Sequence, residues 1–501
     1  MKFLIRQSTE LSGLFILKNK DQWKFWISIS ILFKLVIFLL HVSQAEQSFL
    51  PGFIGYVSGD TPGYIEPSEN FIITGNYTPD YRMPGYAIMI IPLQLIFSKP
   101  LAYNILLVVQ LLISAISVYA LALTASICFQ SKKLFYIVFY FFALSSYTSL
   151  FDDYLLTESL CTSSLIFSIY FICKFFQAKN FTFLFYSGSF LTWVIFLRPV
   201  YSPLLIIFSV VLVINGLLEK LEVKLTIKAI FIFLLFFSVA ETSWIVRNYA
   251  VHGKFIVLAR TMYYPVTEDS YLIELMGFVK SWGGDRTWWN PSAEIRWFGV
   301  KDVSESIRSL EGKKISLPDY IYTSAFSIDS LTFIKSQVEL INLPGISDSL
   351  RKTTTQLINN KLSTYTKSIK KEKPFLYYIK GPVILLKKFL FHSGTYNLFN
   401  KPFGLLSPLM LLIKIFYSGL YVITIVFAFC GILLALKKSH INPHLLLLIS
   451  VPLYSMIFFA FIFRQVEYRY FVPAYPFMVV LASYFILELG RWLKLNKVND
   501  Q

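Results

Sequence analysis

Ten apolar segments, each near membrane-spanning length, dominate this sequence and leave few architectures open to it. They run over about 24–42, 103–129, 134–151, 155–173, 181–197, 201–218, 225–246, 405–436, 443–463 and 470–489. A helix needs about 20 apolar residues to cross the hydrocarbon core. Charged residues make up only 15% of the 501-residue chain, against about 25% in soluble domains. The sequence therefore predicts an all-α polytopic membrane protein, a bundle of about ten transmembrane helices. Met1–Lys24 is polar and basic and has no apolar core of the kind found in a cleavable signal. Phe25–Val42 is accordingly expected to be a retained anchor helix.

Charge sets the orientation. With the N-terminus in the cytoplasm, the short inner connections and tails carry 17 Lys and Arg and the short outer ones five, the bias expected of cytoplasmic loops. Pro84–Phe97 is apolar but short, begins at Pro84-Gly85 and contains Pro92. It reads as an interfacial or re-entrant helix, because a full span there would reverse every later helix and turn the basic loops outward. The resulting organisation is a cytoplasmic N-terminus (1–23) and a seven-span module (24–246) with an outer loop at 43–102. An extracytoplasmic α or α+β region (247–404), three C-terminal spans (405–489) and a cytoplasmic tail (490–501) follow.

The net charge of +17 lies beside apolar segments and in one long loop. It points to topology and contact with anionic lipid, not to nucleic acid. Between Arg351 and Lys401 there are eleven Lys and Arg against one acid, Glu372. Phe375–Phe391 mixes aromatic and aliphatic residues with Lys380, Lys387 and Lys388, a pattern suited to a helix on the bilayer surface. Trp282, Trp288, Trp289 and Trp297 sit among Gly, Pro and polar residues, as in a small irregular domain.

Cys128, Cys161, Cys173 and Cys430 all fall in apolar segments and read as small core residues. The five histidines form no HExxH-type pair; His440 and His444 are spaced i, i+4 on the cytoplasmic side and read as helix-end residues. P-loop, GxGxxG and GxSxG motifs are absent. Asn76-Tyr77-Thr78 matches a glycosylation sequon.

Chemistry must come from the few charged groups near the outer face. Asp60 lies in Gly59-Asp60-Thr61-Pro62-Gly63, either an ordinary turn or a carboxylate held at the mouth of the bundle by an amphipathic helix over Tyr64–Ile72. Asp152 and Asp153 fit the start of a helix, where acids complement the dipole. Glu158 is expected one turn inside its helix, where an unpaired charge is costly; Arg198, Arg247 or a hydrogen-bonded site would satisfy it. Lys34, inside the first span, either snorkels or pairs with an acid. Arg198, Arg247 and Arg469 border the same outer face and suit either interfacial anchoring or the bidentate binding of a phosphate.

These fragments together resemble the GT-C superfamily of polytopic glycosyltransferases, in particular the bacterial group related to protein O-mannosyltransferases and lipid A aminoarabinose transferases. The resemblance is carried by Gly59-Asp60-Thr61 with Tyr64, and by Arg82-Met83-Pro84-Gly85-Tyr86. It continues through Leu156-Thr157-Glu158, Leu197-Arg198-Pro199, Trp244-Ile245-Val246-Arg247-Asn248-Tyr249 and Arg469-Tyr470-Phe471-Val472-Pro473. It implies transfer of a sugar from a polyprenyl-phosphate donor to a glycan, lipid or protein acceptor at the outer face of the cytoplasmic membrane, with inversion at the anomeric carbon. Asp60 would be the general base, with Glu158, Asp152 or Asp153 as a second acid. Arg247, Arg469 and Arg198 would hold the donor phosphate, and Tyr64, Arg82, Pro84, Gly85 and Tyr86 would shape the loop. Many members of the family carry a second acid directly after the loop Asp; this chain has Thr61. No cofactor is assigned, and a divalent metal is compatible with the family pattern. The competing readings are a transporter or flippase and a polymerase of polyprenyl-linked glycans. The first predicts charges near the bilayer midplane and inverted repeats; the second does not require the Asp60 loop.

Overall fold

The computed structural model describes residues 22–43, 50–260, 270–285, 317–399, 401, 403–438 and 442–499. Trp288, Trp289, Trp297 and the basic residues from Lys2 to Lys20 lie outside them. The described residues are almost entirely helical. Their only sheet-like pairing is an isolated bridge between Tyr56 and Tyr154. The chain forms two compact units: residues 1–260, 393–452 and 472–501 make the first, and 261–392 with 453–471 make the second.

The first unit opens with α1 (Gln22–Val42), the short helices α2 (Pro62–Thr74) and α3 (Ala87–Ile96), and the long α4 (Lys99–Phe129). Then come α5 (Lys132–Ala143), the single turn α6 (Ser146–Ser149), α7 (Glu158–Ala178), α8 (Phe181–Leu197), α9 (Pro203–Leu218) and α10 (Val223–His252). α7 packs against α4 and α8, α8 against α10, and α1 against α4. Between α7 and α8 the hydroxyls of Ser168 and Ser187 meet at 3.0 Å and each also donates to the other's carbonyl. Small residues and such cross-helix bonds are what hold helices together where lipid removes the hydrophobic drive.

Among the described residues, eight helices are long and apolar enough to cross a membrane. Phe181–Leu197 is apolar but only 17 residues long. The segment 134–151, expected as one span, is not one: its helix stops at Ala143 after 12 residues, about 18 Å of rise. Ser145, Ser149, Asp152 and Asp153 follow, all buried. Hydroxyls and carboxylates of this kind compete with the helix for backbone hydrogen bonds, and here they build a polar loop inside the bundle. The short apolar stretch after Pro84-Gly85 forms α3, 10 residues, well short of a span. The expected helix over Tyr64–Ile72 is α2, with Pro62 in its first turn and Gly75 ending it at a positive φ of 74°.

The rest of the first unit includes α15 (Pro408–Lys438), the start of α16 (Pro443–Met456) and α17 (Tyr475–Asn499). α15 packs along α17, and α17 meets α5.

The second unit contains α11 (Leu272–Ser281), α12 (Ile328–Ile341), α13 (Asp348–Glu372) and α14 (Gly381–Leu390). Its core gathers Leu275, Phe278, Trp282, Phe326, Ile358 and Tyr365. Ser327 caps α12 reciprocally with Ser330. The basic stretch Phe375–Phe391 is a π-helical turn, Leu376–Lys380, leading into α14. Lys380 lies 4.1 Å from the centre of the Tyr320 ring and Lys388 pairs with Asp285 at 2.7 Å. These two lysines thus engage groups of their own unit, while Phe375, Tyr378 and Phe391 are exposed.

Candidate active site

The Asp60 loop is strapped to the loop that precedes α7. Tyr56 N–H donates to the Asp153 carbonyl at 2.8 Å and Leu155 N–H donates to the Tyr56 carbonyl at 3.1 Å. The Thr61 hydroxyl donates to the Leu155 carbonyl at 3.2 Å and accepts from Ser58 N–H at 2.9 Å. Thr61, standing where the family pattern has a second acid, is therefore a buried strut. At Gly55 a Cβ would come within 2.5 Å of the Asp153 carbonyl oxygen, so the two loops can run this close only with glycine there.

Asp60 itself stays accessible. Its side chain is 30% exposed and lies 3.8 Å from the Arg82 guanidinium. Arg82 in turn donates to the Tyr64 hydroxyl at 2.8 Å and stacks 4.2 Å from the centre of that ring. The Tyr64 hydroxyl reaches Thr157 Oγ1 at 3.5 Å, the residue before Glu158. Asp60, Arg82, Tyr64 and Thr157 thus form a continuous polar path from the loop to the start of α7.

Glu158 is the first residue of α7, not one turn inside it as the sequence suggested. The polar loop before it delays the helix start. Its carboxylate is 1% exposed and meets Arg198 Nη1 at 2.6 Å. Arg198 was one of the two cations expected to satisfy it. Pro199 ends α8 immediately beyond Arg198, because proline cannot continue the ladder. Gly85 docks against this corner: a Cβ there would sit 2.5 Å from the Phe196 carbonyl carbon and 2.7 Å from Leu197 N. The Gly85 carbonyl accepts from Trp193 Nε1 at 3.1 Å. Tyr86 is fully buried, its ring centre 5.6 Å from that of Tyr64, and its hydroxyl donates to Gln110 at 2.9 Å. The Arg82–Tyr86 segment therefore holds the Asp60 loop and the Glu158–Arg198 pair in one neighbourhood.

Asp152 and Asp153 do not act as helix N-terminal acids. Asp152 pairs with Lys34 at 3.3 Å and Asp153 with His41 at 2.6 Å, all four side chains almost wholly buried. Burial pushes the Asp153 carboxyl up to about 6 despite the His41 hydrogen bond. Ser159 also donates to Asp152 Oδ1 at 2.6 Å. Lys34 and His41 are seven residues apart, two helical turns, so both project from one face of α1. That spacing, opposite an Asp-Asp pair, was the signal in the sequence that could have found the arrangement.

Arg247 lies on α10, where Nη1 donates to the Pro79 carbonyl at 2.9 Å and to Asn248 at 2.7 Å. Its guanidinium stacks on Trp244 at 4.7 Å and Tyr77 at 5.5 Å, and its Nη2 is buried without a hydrogen-bond partner among the described residues. Glu241, which the sequence did not single out, accepts from Leu258 N–H at 2.6 Å and anchors the chain beyond α10. Arg469 belongs to the second unit, where it pairs with Glu467 at 2.7 Å.

A resident divalent cation does not fit the residues around Asp60. Asp152, Asp153 and Glu158 each face a cationic or hydrogen-bonding partner, and Asp60 faces the Arg82 guanidinium. Among the described residues, the one group of three metal-type ligands in mutual reach lies elsewhere, at Cys128, Cys173 and His444.

No protein-family model matches the sequence, and no curated protein does. Solved structures do. The oligosaccharyltransferase of Archaeoglobus fulgidus in its apo form aligns with a TM-score of 0.50 at 9% identity, over 97% of this chain and 52% of that one. The chain shares the fold of that enzyme's aligned part. It spans about half the length of the archaeal enzyme. The oligosaccharyltransferase AglB from the same organism, in complex with an inhibitory peptide and a dolichol-phosphate, gives 0.48 at 10% identity, over 96% and 52%. ArnT from Cupriavidus metallidurans bound to undecaprenyl phosphate gives 0.34 at 11%, over 92% and 77%.

Proposed function

We propose that this chain is a membrane glycosyltransferase that moves a sugar from a polyprenyl-phosphate donor to an acceptor hydroxyl at the outer face of the cytoplasmic membrane. The observation that carries the reading is the accessible Asp60 carboxylate, held beside Arg82 and joined through Tyr64 and Thr157 to the buried Glu158–Arg198 pair. The fold shared with an archaeal oligosaccharyltransferase supports the same class of reaction.

Asp60 accepts the proton of the attacking hydroxyl as its oxygen closes on the anomeric carbon, the work of a general base. The glycosidic bond breaks through an oxocarbenium-like state, and the lipid phosphate leaves with the electron pair. Direct displacement with one base gives inversion. Positive charge near the departing phosphate lowers the barrier. Arg247, whose Nη2 is buried without a hydrogen-bond partner among the described residues, is assigned that role, with Arg198 as a further candidate. Glu158 orients Arg198 through their ion pair.

A purified transfer assay with short-chain polyprenyl-phosphate sugars tests the reading. Asp60→Asn is expected to lower the rate by the 10²–10⁴ typical of a lost general base while the protein stays folded. Full activity in that variant would remove Asp60 from the mechanism. No transfer by the wild type from any donor would favour the transporter reading.

A further inference from the structure

The cysteines read from sequence as core residues are not all alike. Cys128, next to last in α4, and Cys173, near the end of α7, bring their sulfurs to 3.6 Å. His444, in the first turn of α16, adds a ring nitrogen, and the three ligand atoms all lie within 4.8 Å of one another. Both cysteines are buried. The imidazole packs edge-on against Phe176 at 5.2 Å.

From these groups we infer a zinc-binding site formed by Cys128, Cys173 and His444. Zinc–sulfur bonds of about 2.3 Å at a tetrahedral angle hold two sulfurs roughly 3.8 Å apart, close to the separation seen. Two thiols in van der Waals contact would also stand at this distance; the converging imidazole is what makes the group a ligand set. Charge selects the ion. Each thiol releases one proton on binding, and two thiolates with one divalent cation give a neutral buried centre, whereas a monovalent ion would leave a net negative charge in a low-dielectric place. Thiolate and imidazole are the ligands zinc favours, and water completes the fourth position. Cys173 is fifteen residues along α7 from Glu158, about 22 Å at 1.5 Å per residue, so the site is remote from the Asp60 neighbourhood. It would clamp the start of α16 to α4 and α7.

The test uses the full chain in detergent, stripped of metal under reducing conditions and titrated with Zn²⁺ against a chromogenic chelator, and in parallel with Co²⁺. One zinc per chain is expected, with a thiolate-to-cobalt charge-transfer band and a rise in thermal midpoint. Cys128→Ser and Cys173→Ser should each abolish binding, and Cys430→Ser should leave it intact. His444→Gln should weaken it beyond the roughly 10–100-fold that a second-shell change costs. If a cysteine variant fails to fold, the wild-type cobalt spectrum and His444→Gln still decide. Absence of the charge-transfer band, zinc affinity unchanged by these variants, or a Cys128–Cys173 disulfide in freshly purified protein would each overturn the site.

Discussion

The Glu158 carboxylate and the Arg198 guanidinium meet at 2.6 Å in a place where neither is well hydrated, the first 1% exposed and the second 11%. Removing one partner from such a pair leaves a buried charge uncompensated, at about 3–5 kcal/mol. Glu158→Gln is therefore expected to lower the thermal midpoint clearly. The double variant Glu158→Gln, Arg198→Met should recover a large part of the loss, because replacing both charges is often nearly neutral. Thermal unfolding of the four proteins of the cycle measures the coupling; additive losses would contradict it.

Tyr64 joins the accessible carboxylate to that pair, since its hydroxyl accepts from Arg82 and reaches Thr157. Tyr64→Phe keeps the ring under Arg82 and removes only these polar links, a stability change of about 0.5–1.5 kcal/mol. Tyr64 is a positioning residue, so turnover should fall by about tenfold, the equivalent of 1.4 kcal/mol, while the inactivating effect of Asp60→Asn is much larger. Steady-state kinetics with both variants checks the order. Equal losses would mean that Tyr64 itself touches the reacting groups.

Gly85 and Gly59 make a matched pair in the same neighbourhood. A Cβ at Gly85 collides with the Phe196–Leu197 backbone, whereas one at Gly59 meets nothing within 4 Å. Gly85→Ala should cost about 1–3 kcal/mol, as overpacking does, and shift the corner that carries Arg198. Gly59→Ala should be close to wild type in thermal midpoint. A tolerated Gly85→Ala would show that the Arg82–Tyr86 segment does not brace that corner.

How far the sequence revealed this arrangement depended on sequence distance. Pro84-Gly85 and Pro92 marked a short helix, and Glu158 in an apolar setting required a partner, either a cation such as Arg198 or Arg247 or a hydrogen-bonded site, of which the structure has Arg198. Both inferences needed only local patterns and the cost of burying charge. The ion pairs of Asp152 and Asp153 were harder, because their partners Lys34 and His41 lie more than a hundred residues away on α1. Without a contact between those segments, the acids looked like helix starters. The division of the segment 134–151 has the same origin. Hydropathy registers the Phe and Tyr residues around Phe139, but it does not register that Ser145, Asp152 and Asp153 find polar partners inside the bundle. Cys128, Cys173 and His444 come from three different helices, and only their packing brings them together.

Lys280 of the second unit gives a pH dependence with a definite sign. It lies on α11, donates to Gln465 at 3.3 Å and faces the Phe463 ring at 4.7 Å. Burial pulls its ammonium from 10.5 down to about 8. Between these two values the unfolded chain binds more protons than the folded one, so this group makes stability rise with pH across that window. Below about pH 8 the amine is charged in both states and the full cost of burying it is present. Lys280→Met should therefore be more stable than wild type at pH 7, with the advantage shrinking as pH climbs towards 10. Thermal unfolding at several pH values, followed by a probe in the second unit, reads this directly. An advantage that is constant with pH would mean that Lys280 titrates in the folded protein as it does in water.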